Sequence, residues 1–187
     1  MSEIKSDKLS PRTDSGTVVL GDSGDTFSIP SGVTIANSGT STGVGKEVQL
    51  VQSVDYTGNI NVDGVTSYAT AGSDFLVSIT PTGTSSKILI IAGSANGGID
   101  GDSTYAGQLK IYRQIASGGY SSITAEPVAN INGASGKRRP WSFTYLDSPS
   151  TTSQVDYQLY MRASDNAVVH FAIDGFSRYI TALEIGG

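Results

Sequence analysis

From Val155 to Ala163 apolar and polar side chains alternate without a break. Val155, Tyr157, Leu159, Met161 and Ala163 share one side, and Asp156, Gln158, Tyr160 and Arg162 the other. A period of two predicts a strand with one buried and one wet face. The same period places Phe75, Val77 and Ile79 together in 74–80, Trp141, Phe143 and Tyr145 together before Asp147, and Val169, Phe171 and Ile173 together in 167–173. Strands are also predicted over 49–56, with Leu50, Val51 and Val54, and over 179–185. Residues 86–92 are apolar on both faces (Ile88, Leu89, Ile90, Ile91), as expected of a central strand buried on both sides. Leu109, Ile111 and Ile115 lie in the next run, and 120–124 and 128–131 are shorter candidates. No stretch keeps an i, i+3, i+4, i+7 apolar pattern free of Gly, Pro or β-branched interruption, so helices are not expected.

The N-terminal part reads differently. Residues 1–16 are polar, contain Pro11 and show no periodicity, which predicts an extended peptide that orders against a partner. From 17 to 45 the apolar pieces are only three residues long: Val18-Val19-Leu20, Phe27-Ser28-Ile29 and Val33-Thr34-Ile35, separated by Gly, Asp, Ser and Pro turns. Burial is worth ~0.8 kcal/mol per methylene, whereas ordering each residue's backbone costs ~1–2 kcal/mol. Such a stretch needs other copies or a neighbouring subunit to complete its core. The expected organisation is an all-β chain with an extended arm with short strands at 1–45 and an antiparallel β-sandwich or jelly roll at 46–187.

Composition narrows the function. Among 187 residues there is no cysteine and one histidine, which removes disulfide, thiolate-metal and cysteine-nucleophile chemistry and makes a transition-metal site improbable. A net charge of -5 argues against nucleic-acid binding, which needs a basic face. No apolar run reaches the ~20 residues of a membrane span, and the opening residues lack a signal-peptide core. The expectation is a soluble chain made in the cytosol, without membrane insertion, whose place of work is a separate question.

Two segments resemble phage virion proteins. Met1-Ser2-Glu3-Ile4-Lys5, Asp7-Lys8-Leu9-Ser10-Pro11-Arg12, Ser15-Gly16-Thr17-Val18, Leu20-Gly21-Asp22-Ser23-Gly24-Asp25-Thr26-Phe27 and Ile29-Pro30-Ser31-Gly32-Val33-Thr34 resemble the N-terminal portion of tail-fibre-like proteins of marine tailed bacteriophages. Thr144-Tyr145-Leu146-Asp147-Ser148-Pro149, Tyr157-Gln158-Leu159-Tyr160-Met161-Arg162 and Tyr179-Ile180-Thr181-Ala182-Leu183-Glu184-Ile185 are similar to the ends of fibre-tip domains that look like trimeric jelly rolls of the tumour-necrosis-factor and C1q kind. The resemblance implies a homotrimeric tail fibre located in the virion. It would dock on other virion proteins through 1–45 and contact a host cell-surface glycan or protein with its jelly roll. The last strand, ending two residues before Gly187, is then expected to be an edge that neighbours cover. A capsid decoration or head-fibre protein is the alternative, and a glycan-degrading fibre tip a second one.

Candidate chemistry is sparse. His170, opposite the apolar face of its strand, has no identifiable acid or nucleophile partner, so no catalytic residue, cofactor or metal site is assigned and the chain is expected not to be an enzyme. Asp22-Ser23-Gly24-Asp25 and Asp100-Gly101-Asp102 could offer oxygen ligands to Ca²⁺, but they lack EF-hand spacing and read first as turns. Gly93-Ser94-Ala95-Asn96-Gly97-Gly98 lacks the ending of a phosphate-binding loop and is expected to be a plain loop, followed by another through Asp102. Lys137, Arg138 and Arg139 form the basic cluster, on an expected loop, and could grip an acidic polymer while Trp141 stacks on a sugar; a solvated loop or an inter-subunit salt bridge is the simpler reading. Phe75, Phe143, Tyr157 and Phe171 are expected in the core, whereas Tyr105, Tyr120 and Tyr160, where exposed, are candidates for host contact.

Overall fold

A computed structural model describes residues 17–19, 22, 24–26, 28, 31–33, 49–55, 58–70, 75–100, 106–132, 136–163, 168–173 and 175–186. The chain divides into two units, 1–43 and 44–187. In the first, the Asp22-to-Asp25 segment is a turn: the Asp25 amide donates to the Asp22 carbonyl, and the Asp22 amide donates to the Asp25 carboxylate at 2.8 Å. Val18, Val19 and Val33 are exposed there. Residues 1–16, most of 17–45 and the Gly101-Asp102 loop lie outside the described residues.

The second unit is all-β, with no α-helix among its described residues and therefore none long and apolar enough to cross a membrane. Its strands are β1 (Leu50–Asp55), β2 (Ile60–Asp63), β3 (Ala69–Thr70), β4 (Leu76–Ile79), β5 (Lys87–Asp100), β6 (Ala106–Ile115), β7 (Ser121–Ser122), β8 (Ala129–Asn132), β9 (Lys137–Asp147), β10 (Val155–Ala163), β11 (Val168–Ala172) and β12 (Arg178–Ile185). All pairings are antiparallel, in two sheets. One sheet is built on β5, whose 87–94 half pairs with β12 and whose 98–100 end pairs with β11, while β9 runs along its other edge. β1 flanks β12, and β2 flanks β11. The second sheet is built on β10, with β3 and β4 on one edge and β6 on the other, and β7 and β8 beyond β6. The path therefore alternates between sheets in the order of a jelly roll.

The alternation in the sequence explains the core. Every odd residue of β10 from Val155 to Ala163 is buried and every even one is half-buried. From the opposite sheet come Ile88, Ile90, Ala92, Phe143, Val169, Phe171, Ile180 and Ala182, and Phe75, Val77, Ile79, Leu109 and Ile111 complete the layer. The expected core aromatics Phe75, Phe143, Tyr157 and Phe171 are all buried.

Polar clamps cross this layer. Arg113 of β6 donates to both Asp147 carboxylate oxygens, at 3.0 and 2.8 Å, and the buried Tyr157 hydroxyl donates to Asp147 Oδ2 at 2.7 Å. Burial, then the hydrogen bond to Asp147, pushes the Tyr157 hydroxyl well above the usual tyrosine range. Glu184 of β12 is buried, and its Oε1 accepts from the Thr82 amide and hydroxyl, both at 2.7 Å. Burial opposes its charge, but hydrogen bonds from Ser86 and Thr82 outweigh that and hold its carboxyl below the usual range.

Four expectations need correction. The loop predicted after residue 92 is strand: β5 continues through Gly93 to Asp100, because these glycines fit under their neighbours. A Cβ on Gly97 would stand 2.7 Å from Trp141 Cδ1, so glycine here permits close packing and makes no turn. The basic cluster 137–139 is also strand, since β9 begins at Lys137 and pairs with Gly97, Gly98 and Ile99. β12 is no edge, because it lies between β1 and β5. Finally, β5 is central but is not buried on both faces: Ile88 and Ile90 are fully buried, whereas Leu89 and Ile91 point outward and are half-buried.

Candidate functional site

The side chains that distinguish this domain lie on its two outer sheet faces. On β6 and β10 the outward positions are Gln108, Lys110, Tyr112 and Gln114, and Asp156, Gln158, Tyr160 and Arg162, all half-buried and in antiparallel register. Long polar side chains on neighbouring strands reach each other diagonally. The Tyr112 and Tyr160 rings stack at 3.9 Å, and Tyr120 tilts against Tyr160 at 6.1 Å. Arg162 Nε donates to Gln108 Oε1 at 2.7 Å, and the Tyr68 hydroxyl reaches the same oxygen at 3.4 Å. The Arg162 guanidinium and the Lys110 ammonium lie 4.9 and 5.2 Å from the Tyr68 ring centroid, within cation–π range. Partial burial raises the hydroxyl pKa of Tyr68, Tyr120 and Tyr160, so these hydroxyls remain neutral donors. Such a face offers flat aromatic area, amides and held cations, the equipment for gripping a sugar or a protein loop without covalent chemistry.

The structure brings Tyr120 and Tyr160 to this face and joins them to Tyr112, Tyr68, Gln108 and Arg162, which sequence reasoning did not single out. The signal was present for Tyr112, which alternates with Leu109 and Ile111 of β6 as Tyr160 does with the core residues of β10. Tyr68 lies between strands and gave no such signal. Tyr105 lies outside the described residues.

The other candidates sit apart, on β9. Lys137 and Arg139 are exposed; Arg138 is half-buried, its side chain lying over Gly98. Trp141 is packed: its Nε1 donates to the Phe171 carbonyl at 2.8 Å, and its ring contacts Phe75 at 5.5 Å and Phe143 at 6.2 Å. His170 faces away from buried Val169 and Phe171, in register with Asn61 and Gly98. Among the described residues no three His, Asp or Glu side chains gather as metal ligands.

The outer face of the β5 sheet has another character. Leu50, Leu183, Leu89 and Leu146 stand in register across β1, β12, β5 and β9. Leu50 is 63% and Leu146 47% exposed. The next rows are Gln52, Thr181, Ile91 and Thr144, then Val54, Tyr179, Gly93 and Ser142. Beyond them opens a shallow cleft of about 330 Å³ walled by Ala95, Pro140, Ser142, Ser177 and Tyr179.

The chain matches no protein-family model and no curated protein. Among solved structures it is similar to that of the infectious bursal disease virus Gx strain, with TM-score 0.46 and 15% identity over 75% of this chain and 32% of that one. It is also similar to the infectious bursal disease virus VP2 subviral particle, with TM-score 0.45 and 11% identity over 75% of this chain and 33% of that one. The chain thus spans about a third of the length of these structures.

Proposed function

We propose that the chain is a non-catalytic virion structural protein, a homotrimeric tail-fibre subunit that docks through residues 1–45 and meets the host envelope with its jelly roll. The observation that carries this reading is the location of the domain's side-chain chemistry. It lies on broad, open sheet faces, one aromatic and polar and the other apolar, and the polar interior is used to tie the sheets together. A binding and assembly module needs such faces, whereas hydrolysis needs an acid and a base converging on a cleft. The apolar-poor 17–45 stretch and the residues that resemble phage fibres add to it. Host contact is assigned to Tyr112, Tyr120 and Tyr160 with Gln108 and Arg162, and Lys137 and Arg139 are a second, separate cationic contact.

The test is complementation of the phage that encodes the chain. Protein lacking residues 1–16 is expected to fold yet stay out of particles, and a Tyr112→Ala/Tyr160→Ala pair is expected to enter particles that adsorb to host cells at least about 10-fold more weakly. Immunogold label on the head in place of the tail would replace this reading with that of a capsid decoration protein. Release of soluble sugar from host polysaccharide would replace it with that of a glycan-degrading tip.

A further inference from the structure

We infer that the outer face of the β5 sheet is buried against a second copy of this chain. The inference rests on the homotrimer proposed above and assigns the surface that closes it. Four leucines from four different strands form one continuous row, and Ile91, Val54 and Tyr179 extend the apolar surface from it. The β-sandwich needs apolar residues on the inner face alone, so this row adds nothing to the core of a single chain. An apolar patch in register across a whole sheet marks a contact surface.

Charge selects the partner. The three rows of four positions contain no ionisable side chain other than the Tyr179 hydroxyl, although the chain carries 12 basic and 17 acidic residues and its opposite face presents Lys110, Asp156 and Arg162. Copies with a net charge of -5 repel each other, and a face without fixed charges is where they meet at least electrostatic cost. A charged host polymer would find no complementary charge in these rows. Lys87, in register with Ile185, lies at the rim, where interfaces place their charges.

Geometry agrees. With strands ~4.8 Å apart and same-face residues ~7 Å apart, the rows cover on the order of 300 Å². A specific interface takes about 800 Å² per partner. The contact therefore extends past the rows, over Ile185, which is 43% exposed, at one end and the cleft walled by Pro140 and Tyr179 at the other. β1, the first strand of the domain, borders this face.

The experiment uses the full chain and two exposed positions on the outer strands, Leu50→Glu and Leu146→Glu, with Ser121→Glu on the other sheet as control. Light scattering over a dilution series should give a mass of three chains for the wild type and the control. The leucine variants should dissociate at concentrations at least about 100-fold higher, with an unchanged circular dichroism spectrum. Thr144→Lys, a polar exchange at an exposed position of the second row, carries the same test where a leucine variant fails to fold. Trimeric variants beside a trimeric wild type would overturn this inference and leave the trimer standing. A wild type that is monomeric throughout would overturn both.

Discussion

On the outer face of the β10 sheet, Arg162 is held by Gln108 and the Tyr68 ring, and Lys110 donates to the Ala125 carbonyl at 2.6 Å. Across the core, the outer face of the β5 sheet sets leucine beside leucine on four strands and leaves the outermost two largely in water. The backbones follow the same rules and share one interior, so the contrast belongs to the side chains alone. A face whose long polar groups are already held by one another is finished within the chain and is preorganised for a ligand. A face of aligned, incompletely covered leucines is unfinished, and its completion lies in another molecule.

The clearest way to break the comparison is to loosen the layer that holds the faces back to back. Asp147→Ala leaves the Arg113 guanidinium and the buried Tyr157 hydroxyl without their shared acceptor, an expected loss of about 3 kcal/mol, read as a lower urea midpoint at constant slope. Acid and alkali act on the same interior in opposite directions. The depressed Glu184 carboxyl contributes stability that is present above the unfolded-state value of 4.5 and is lost as pH falls through the lower native value. The raised Tyr157 hydroxyl contributes stability that is present below the unfolded-state value of 10.0 and is lost as pH rises above it. Thermal melts from pH 3 to 11 should show both limbs, with Glu184→Gln flattening the acid one and Tyr157→Phe the alkaline one. Arg162→Ala, which removes a hydrogen bond and a cation–π contact from the tyrosine face, should cost about 1 kcal/mol and reduce Tyr68 order without changing the oligomer. Smallest of all, Leu146→Thr in dissociated chains should change stability by less than about 0.5 kcal/mol, because the position is a surface one until a second copy covers it.

Much of the fold was legible because the sandwich imposes a period of two. β10 was read to the residue, and the same alternation in three other runs gave Phe75, Phe143 and Phe171 beside its Tyr157. Two failures share a cause: glycine and charge were read as punctuation. Gly97 and Gly98 lie inside β5 because Trp141 and Arg138 occupy the space over them, a constraint set by a strand some forty positions later in the sequence. Ile60-Asn61-Val62-Asp63, a strand between two glycines of positive φ, Gly58 at 74° and Gly64 at 61°, is not among the expected strands. The tyrosine face escaped because it is assembled by register, which joins residues as far apart in the chain as Tyr112 and Gln158 only once β6 lies beside β10. The leucine row was hidden in the same way: Leu89 and Ile91 were read correctly as apolar on the second face of their strand, but what covers that face is not in the sequence of one chain.

The position of β12 bears on how the domain is made. It fills the gap between β1 and the first half of β5, so Leu50 must wait for Leu183, and Leu89 for the same residue, before either edge is paired. A ribosome that adds residues in order releases β1 long before its partner exists. The nascent domain therefore passes through a stage with two open strand edges and the leucine surface uncovered, the kind of species that attracts chaperones and aggregates when crowded. Contacts between such distant parts of the chain also make folding slow. Yield of correctly assembled protein should accordingly be limited by the interval between synthesis and the insertion of this one strand.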